Sequence, residues 1–315
     1  MGFVVAINYI NADVLDGLGR LLDESVQSVV TSPPYWGMRD YGVDGQIGLE
    51  PDLDSHINHL VLVFRAVRRI LREDGVLWLN YGDCYACTPN GRKAVDIVND
   101  DRGFVDKPFS TVHGCFKAKD LIPASWRLAI ALQEDGWWLR SANIWAKTNP
   151  MPESAKDRPT VAHEYVFMLT KASKYQYFHE AVRQPSTGRA YSFRRENSKR
   201  GVAQVGQYNG THRPDRKDGY VGDGKRGLRS VWEFKTEPFK EAHFATFPPK
   251  LVETCLLAST KEGDHVLDPF GGAGTTGLVA ERLRRNCTLI ELNQDYLEIA
   301  KKRIADDCLP LLEAR

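Results

Sequence analysis

Two periods of apolar residues alternate along this chain, and together they spell strand followed by helix. The last third is the most regular. "PPKLVETCLLAST", from Pro248, places Leu251, Cys255, Leu256 and Ala258 at helical spacing. "DHVLDPF" is a short apolar strand that runs into the turn "GGAGTTG". Thr275 to Arg285 then predicts a helix, "CTLIELN" a strand, and Gln294 to Asp306 a closing helix. Strand, glycine turn, helix and strand in that order predict a parallel α/β sheet. The N-terminal part repeats the theme. "FVVAINYINAD" predicts a strand ending at Asp13, residues 14–22 a short helix, and "VQSVVTS" the next strand. From His56 to Arg72 one face carries Ile57, Leu60, Val61, Phe64, Val67 and Leu71, an amphipathic helix. "GVLWLN" (75–80), "WLRSANIWAK" and "HEYVFMLTK" predict strands, and Pro123 to Gln133 a helix.

Two stretches lack either period. Residues 83–120 are polar and glycine-rich, longer than most structureless connections in a compact domain. Residues 171–242 are rich in Gly, Arg and Tyr and read as an insertion. The domain plan is therefore 1–170, an insertion at 171–242, and 243–315, with no internal repeat.

Composition is that of an ordinary globular protein, 42% hydrophobic and 26% charged. No apolar run reaches the roughly 18–20 residues a membrane span needs, and "MGFVVAINYI" has neither the basic start nor the cleavage site of a signal peptide. Gly2 follows Met1 without the Ser or Thr that myristoylation requires. Six cysteines do not make a disulfide framework and fit a reducing cytosol. Cys84 and Cys87 form a lone C-x-x-C with no second pair at zinc spacing, and His163-Glu164 is followed by Phe167 where a zinc protease needs His. No metal is expected. The net charge of +1 conceals an asymmetry: Lys171 to Ser230 holds fourteen Lys and Arg against five Asp and Glu. That excess suggests a polyanion partner, with a solvated insertion as the lesser alternative.

Two motifs carry the chemistry. In "LDPFGGAGTTG", Gly272, Gly274 and Gly277 satisfy G-x-G-x-x-G between a strand and a helix, and Glu291 follows at the distance of a ribose-binding acid. The same physics serves a nicotinamide dinucleotide and S-adenosylmethionine, and an acid at the strand tip, Asp268, suits the cationic end of the latter. In "VVTSPPYWGMRDYG" a buried strand ends in Ser32-Pro33-Pro34-Tyr35-Trp36. Two prolines forbid continuation of strand or helix and remove two N–H donors, leaving rigidly placed carbonyls.

Together, "TSPPYW" and "DPFGGAGTT" resemble the amino-group DNA methyltransferases, which modify cytosine N4 or adenine N6. With the catalytic tetrapeptide first and the cofactor loop last, the order is similar to that of the permuted beta class. "RSANIWAKTNPMPES" and "HFATFPPKLVE" also resemble family blocks. The resemblance covers the chain outside the basic stretch. It implies a Rossmann-like, circularly permuted S-adenosylmethionine-dependent methyltransferase sheet with a target-recognition insertion at 171–242. It also implies a cytoplasmic protein of a prokaryote or phage, double-stranded DNA as partner, no membrane, and a restriction endonuclease as a functional rather than physical partner. Monomer and homodimer both stay open.

The same resemblance distributes the roles. Ser32, Pro33, Pro34 and Tyr35 are the catalytic set. The amino group of a base is a poor nucleophile because its lone pair is delocalised into the ring. The Ser32 hydroxyl and the Pro33 carbonyl are candidate acceptors that hold its two hydrogens and free the lone pair. Tyr35 stacks on the extruded base. Asp13, Asp268, Phe270, Gly271, Gly272, Gly274, Thr275, Thr276, Glu291 and Asn293 are expected at the cofactor. Asp13 reads equally as a helix N-cap. Trp36, Arg183, Arg189, Arg194, Arg195, Lys199 and Arg200 are expected on the DNA side, Trp36 as pocket wall and the cations at phosphates or guanine edges, with Tyr191 and Phe193 beside them. The Ser form of the tetrapeptide resembles the cytosine-N4 enzymes and an Asp form the adenine-N6 enzymes. Methylation at cytosine C5 needs a Pro-Cys nucleophile, and the chain has no such dipeptide. A nicotinamide oxidoreductase built on residues 266–291 leaves Ser32 to Trp36 unexplained. A DNA-binding module without catalysis would not need the intact tetrapeptide.

Overall fold

The computed structural model describes residues 5–87, 109–186, 224–236 and 247–313. In chain order the elements begin with β1 (Ile7–Asn11), α1 (Val14–Gly19), β2 (Val26–Thr31), α2 (Leu53–Ile70), β3 (Leu71–Tyr81) and the short β4 (Cys84–Tyr85). They continue with β5 (Leu121–Ile122), α3 (Ala124–Glu134), β6 (Trp138–Lys147), β7 (His163–Thr170), β8 (Gln184–Pro185), β9 (Lys225–Arg226) and β10 (Val231–Phe234). The chain closes with α4 (Pro249–Ser259), β11 (His265–Asp268), α5 (Thr275–Arg282), β12 (Asn286–Glu291) and α6 (Gln294–Glu313). None of the described helices is long and apolar enough to cross a membrane.

Among the described residues, eight strands form one sheet in the order β1-β12-β11-β2-β3-β7-β6-β10. It is parallel from β1 to β3; β7 runs antiparallel to both β3 and β6, and β10 is parallel to β6. All six residues of β2 are buried, as a strand covered on both faces requires. The mixed α/β architecture and the permutation expected from the sequence are both present. The N-terminal β1 pairs in register with the C-terminal β12, with Asn11 opposite Glu291.

From β11 the chain turns through α5 to β12, and from β2 it turns through α2 to β3 on the other side. The adjacent β11 and β2 thus flank a topological switch point, and crevices form at such points at the carboxyl ends of parallel strands. Leu60, Val63, Phe64, Val67 and Ile70 of α2 are fully buried in the core. Asp52 caps this helix by accepting from the Ser55 N–H at 2.7 Å, so it starts three residues before the expected His56.

The largest departure from the sequence pattern is β10. Its four residues alternate, with Trp232 buried against Trp78, and they add a strand to the sheet from within the span 171–242 read as insertion. His179–Leu228 forms a compact unit of its own, in which a 3-10 turn at His179–Val182 precedes the β8–β9 pair.

Candidate active site

Every residue expected to act chemically in the two motifs sits at or just beyond the carboxyl end of a parallel strand. Ser32–Tyr35 leave β2, and two prolines in succession take the chain out of the ladder. Thr31, the last residue of β2, donates its hydroxyl to Asp268 Oδ1 at 2.7 Å and ties this strand tip to that of β11. The Tyr35 ring lies 4.6 Å from the Tyr81 ring, their planes inclined by 48°. Gly82, just past β3, makes this possible: a Cβ there would sit 2.9 Å from Tyr35 Cε2. The Tyr35 hydroxyl donates to Glu164 Oε2 at 2.8 Å and accepts from Ser32 Oγ at 3.4 Å. Burial pushes the Tyr35 phenol well above its usual value, and the Glu164 charge adds to the shift, so the hydroxyl keeps its proton at neutral pH.

Glu164, on β7, gathers two further donors. Asn80 Nδ2 reaches Oε2 at 3.0 Å and Lys147 Nζ reaches Oε1 at 2.5 Å. In the sequence Glu164 stands only as part of a failed zinc motif, and Lys147 only inside a family block. A charged residue opening an otherwise apolar strand is the one available signal.

Beneath the tetrapeptide lies a second polar chain. The Trp36 N–H donates to the Tyr81 hydroxyl (3.3 Å), which lies 2.7 Å from His56 Nε2; His56 Nδ1 lies 2.8 Å from Glu50 Oε2. Burial pushes the Glu50 carboxyl up, but the hydrogen bond and charge of His56 outweigh it and hold the group at about 2. Trp36 does not stand on the DNA side as expected. It is 2% exposed and its indole N–H donates to the Glu50 carbonyl, so it supports the loop from the core.

On the cofactor side Asp268 also differs from expectation. It is 1% exposed, and both oxygens are engaged: Oδ1 by Thr31 and the Phe270 N–H (3.1 Å), Oδ2 by the Thr276 hydroxyl (2.7 Å). It holds the loop together instead of facing outward. Burial raises its pKa to about 7 against the opposing hydrogen bonds. Glu291 is the open acid. Its carboxylate accepts from the Gly272 N–H (2.8 Å) and the Asn293 N–H (2.9 Å), and burial raises its pKa despite these bonds. One bond to each oxygen leaves lone pairs for ribose hydroxyls.

Asn293 caps the first turn of α6 through its side chain, Thr275 accepts from Arg303 at 2.9 Å, and Phe270 packs on the core. Gly271 receives the closest approach of Leu289. Gly272, at φ +48°, has no described atom beyond its chain neighbours nearer than 4.0 Å to where its Cβ would stand, so among the described residues the loop leaves space on that side. An open glycine backbone beside a carboxylate with spare acceptor capacity fits S-adenosylmethionine, which presents ribose hydroxyls and an amino-acid tail. Asp13 is an N-cap, accepting from the Leu15 N–H at 2.8 Å. Tyr41 and Tyr296, unforeseen from sequence, meet edge to face at 6.4 Å within reach of the Glu291 charge.

Of the cations expected at DNA, Arg183 is committed inside its own unit, to Glu180 (3.1 Å) and the Lys225 carbonyl (2.9 Å). Arg189, Arg194, Arg195, Lys199 and Arg200, with Tyr191 and Phe193, lie outside the described residues.

A family model described as DNA methylase, of the N6/N4 methyltransferase type, matches residues 26–302. The type II methyltransferase M.Cfr9I of Citrobacter freundii is 47% identical over 292 residues, covering 93% of this chain and 85% of its own length. M.SmaI of Serratia marcescens is 42% identical over 292 residues, covering 93% and 88%. Among solved structures, the cytosine-N4-specific PvuII DNA methyltransferase aligns with TM-score 0.64 at 18% identity, over 99% of this chain and 94% of its own. A DNA modification methylase of Thermus thermophilus, determined in complex with S-adenosyl-L-methionine, aligns with TM-score 0.59 at 23% identity, over 96% and 94%. These two likenesses bear on the fold alone.

Proposed function

The chain belongs to the N6/N4 family of DNA methylases, and from that premise we propose that it methylates cytosine N4 in double-stranded DNA on a base flipped out of the helix. The single observation that carries the reading is the adjacency of β2 and β11, which brings the tetrapeptide to the strand tip beside the glycine loop.

Gly271, Gly272 and Glu291 hold the cofactor, and Gly274 lets α5 pack on α6 beneath them. Bound there, S-adenosylmethionine supplies a methyl group made electrophilic by its sulfonium, displaceable by an amino nitrogen with release of a neutral thioether. Ser32 Oγ and the Pro33 carbonyl accept the two hydrogens of the target amino group and hold its nitrogen pyramidal. The prolines keep those acceptors from relaxing, which is preorganisation of a polar site. Extruding the base costs a few kcal/mol, and stacking on the Tyr35 face returns ~1–3 kcal/mol. The base assignment rests on Ser32, since the hydroxyl form of the tetrapeptide resembles the cytosine-N4 enzymes. The basic excess between Lys171 and Ser230 serves as the DNA grip, with Arg189, Arg194, Arg195, Lys199 and Arg200 at phosphates or base edges. A restriction endonuclease reading the same site is the functional partner.

The test separates transfer from binding. Ser32→Ala and Tyr35→Ala should each lose about 10²–10³ in methyl-transfer rate, the scale for a lost preorganised contact, while calorimetric titration finds S-adenosylmethionine binding intact. Glu291→Ala should weaken that binding itself. Full activity in both tetrapeptide variants would overturn the reading.

A further inference from the structure

Glu164, on β7, lies outside both motifs, and its carboxylate meets the tetrapeptide through the Tyr35 hydroxyl. Its carboxylate offers only acceptors. Lys147 Nζ and Asn80 Nδ2 donate to it, and Asn80 Nδ2 also donates to the Tyr165 carbonyl at 3.1 Å, which sets the orientation of that amide. The remaining bond to Glu164 comes from the Tyr35 hydroxyl, and Ser32 Oγ stands next in line. Each hydroxyl has one proton. Once Tyr35 spends its proton on Glu164, its oxygen accepts from Ser32, and the Ser32 proton points away from the target.

We propose that Glu164 is the positioning residue that sets the polarity of the Tyr35–Ser32 chain, so that Ser32 meets the target amino group as an acceptor only. The inference rests on the amino-methyltransferase reading above and deepens it. With the opposite polarity Ser32 would offer a proton to the nitrogen lone pair that attack requires. Burial of the Tyr35 phenol, which keeps it protonated at neutral pH, supports the same order. Hydroxyl chains of this kind act as a unit, so their members should not contribute independently.

The experiment is a double-mutant cycle on the full chain, with S-adenosylmethionine and methylatable DNA. Glu164→Gln preserves volume but puts an N–H₂ donor against Tyr35 or Lys147. We expect kcat to fall at least tenfold, with KM for DNA and cofactor within about twofold and the melting temperature close to wild type. In the Tyr35→Phe background Glu164→Gln should cost little more. A wild-type kcat in Glu164→Gln, or losses that multiply in the double variant, would overturn the inference. Wild-type protein that methylates no DNA would sink the proposed function instead. The polarity is then decided by the Tyr35 hydroxyl-proton resonance, identified by its absence in Tyr35→Phe. Protection in wild type and loss in Glu164→Gln support the inference, and an unchanged signal in Glu164→Gln contradicts it.

Discussion

Asp268 shows how burial reassigns a residue that the sequence marks by position alone. At the tip of β11 it was expected to face the cation of the cofactor; instead Thr31, Thr276 and the Phe270 N–H enclose it. The donors favour its charged form and burial disfavours it, and burial wins, with a pKa of about 7. The unfolded chain releases this proton near the ordinary 3.8. Between those values the folded state binds more protons than the unfolded one, so this group makes stability fall as pH rises from about 4 to 7, with the full loss present above 7. At ~1.4 kcal/mol per pKa unit the effect is a few kcal/mol at most. Urea midpoints at pH 5 and pH 8 should therefore differ less in Asp268→Asn than in wild type; equal pH dependence would contradict the assignment. Glu164 escapes the sequence for a complementary reason. Its meaning comes from lying across β3 from a tyrosine 129 positions away, which no local pattern encodes.

Among the elements, the glycine turn before α5 was legible as a loop but not as a division of labour between glycines. Gly274 sits at φ +75°, and a Cβ there would stand 2.7 Å from Ala300 Cβ, so α5 and α6 can pack only over a glycine. Gly272 is also left-handed, at φ +48°, but open on that side. Gly274→Ala should cost ~1–3 kcal/mol in backbone strain plus a similar amount for the clash, read as a lowered urea midpoint. Gly272→Ala should lose only the strain part in stability and show its larger effect in calorimetric cofactor affinity. Equal stability losses would contradict this division. Long periodic elements such as α2 and β7 were legible because their apolar spacing is sustained. β10 was not, because Val231–Phe234 is four residues within a basic, aperiodic stretch, and only its pairing with β6 makes it a strand. The ends of α1 and α5 fell short of expectation. The chain turns at Arg20 after α1, and Arg284 adopts φ +60° after α5.

For the molecule as a whole, the order of motifs along the chain already implied that the first strand must complete the sheet begun by the last ones. The pairing of β1 with β12 is what that order requires. What order could not convey is how the two strand tips are joined: Thr31 reaches Asp268, so the segments proposed to carry catalysis and cofactor, 237 residues apart, share one hydrogen-bonded hub. The central claim is that this joint site puts a methyl group on an exocyclic amino nitrogen of DNA, at cytosine N4. The most direct measurement is the product itself. Unmethylated DNA is incubated with the protein and S-adenosylmethionine, digested to nucleosides, and analysed by mass spectrometry against standards. The account predicts N4-methylcytosine. N6-methyladenine in its place would contradict the base assignment, and 5-methylcytosine or no methylated nucleoside at all would contradict the claim of amino-group transfer.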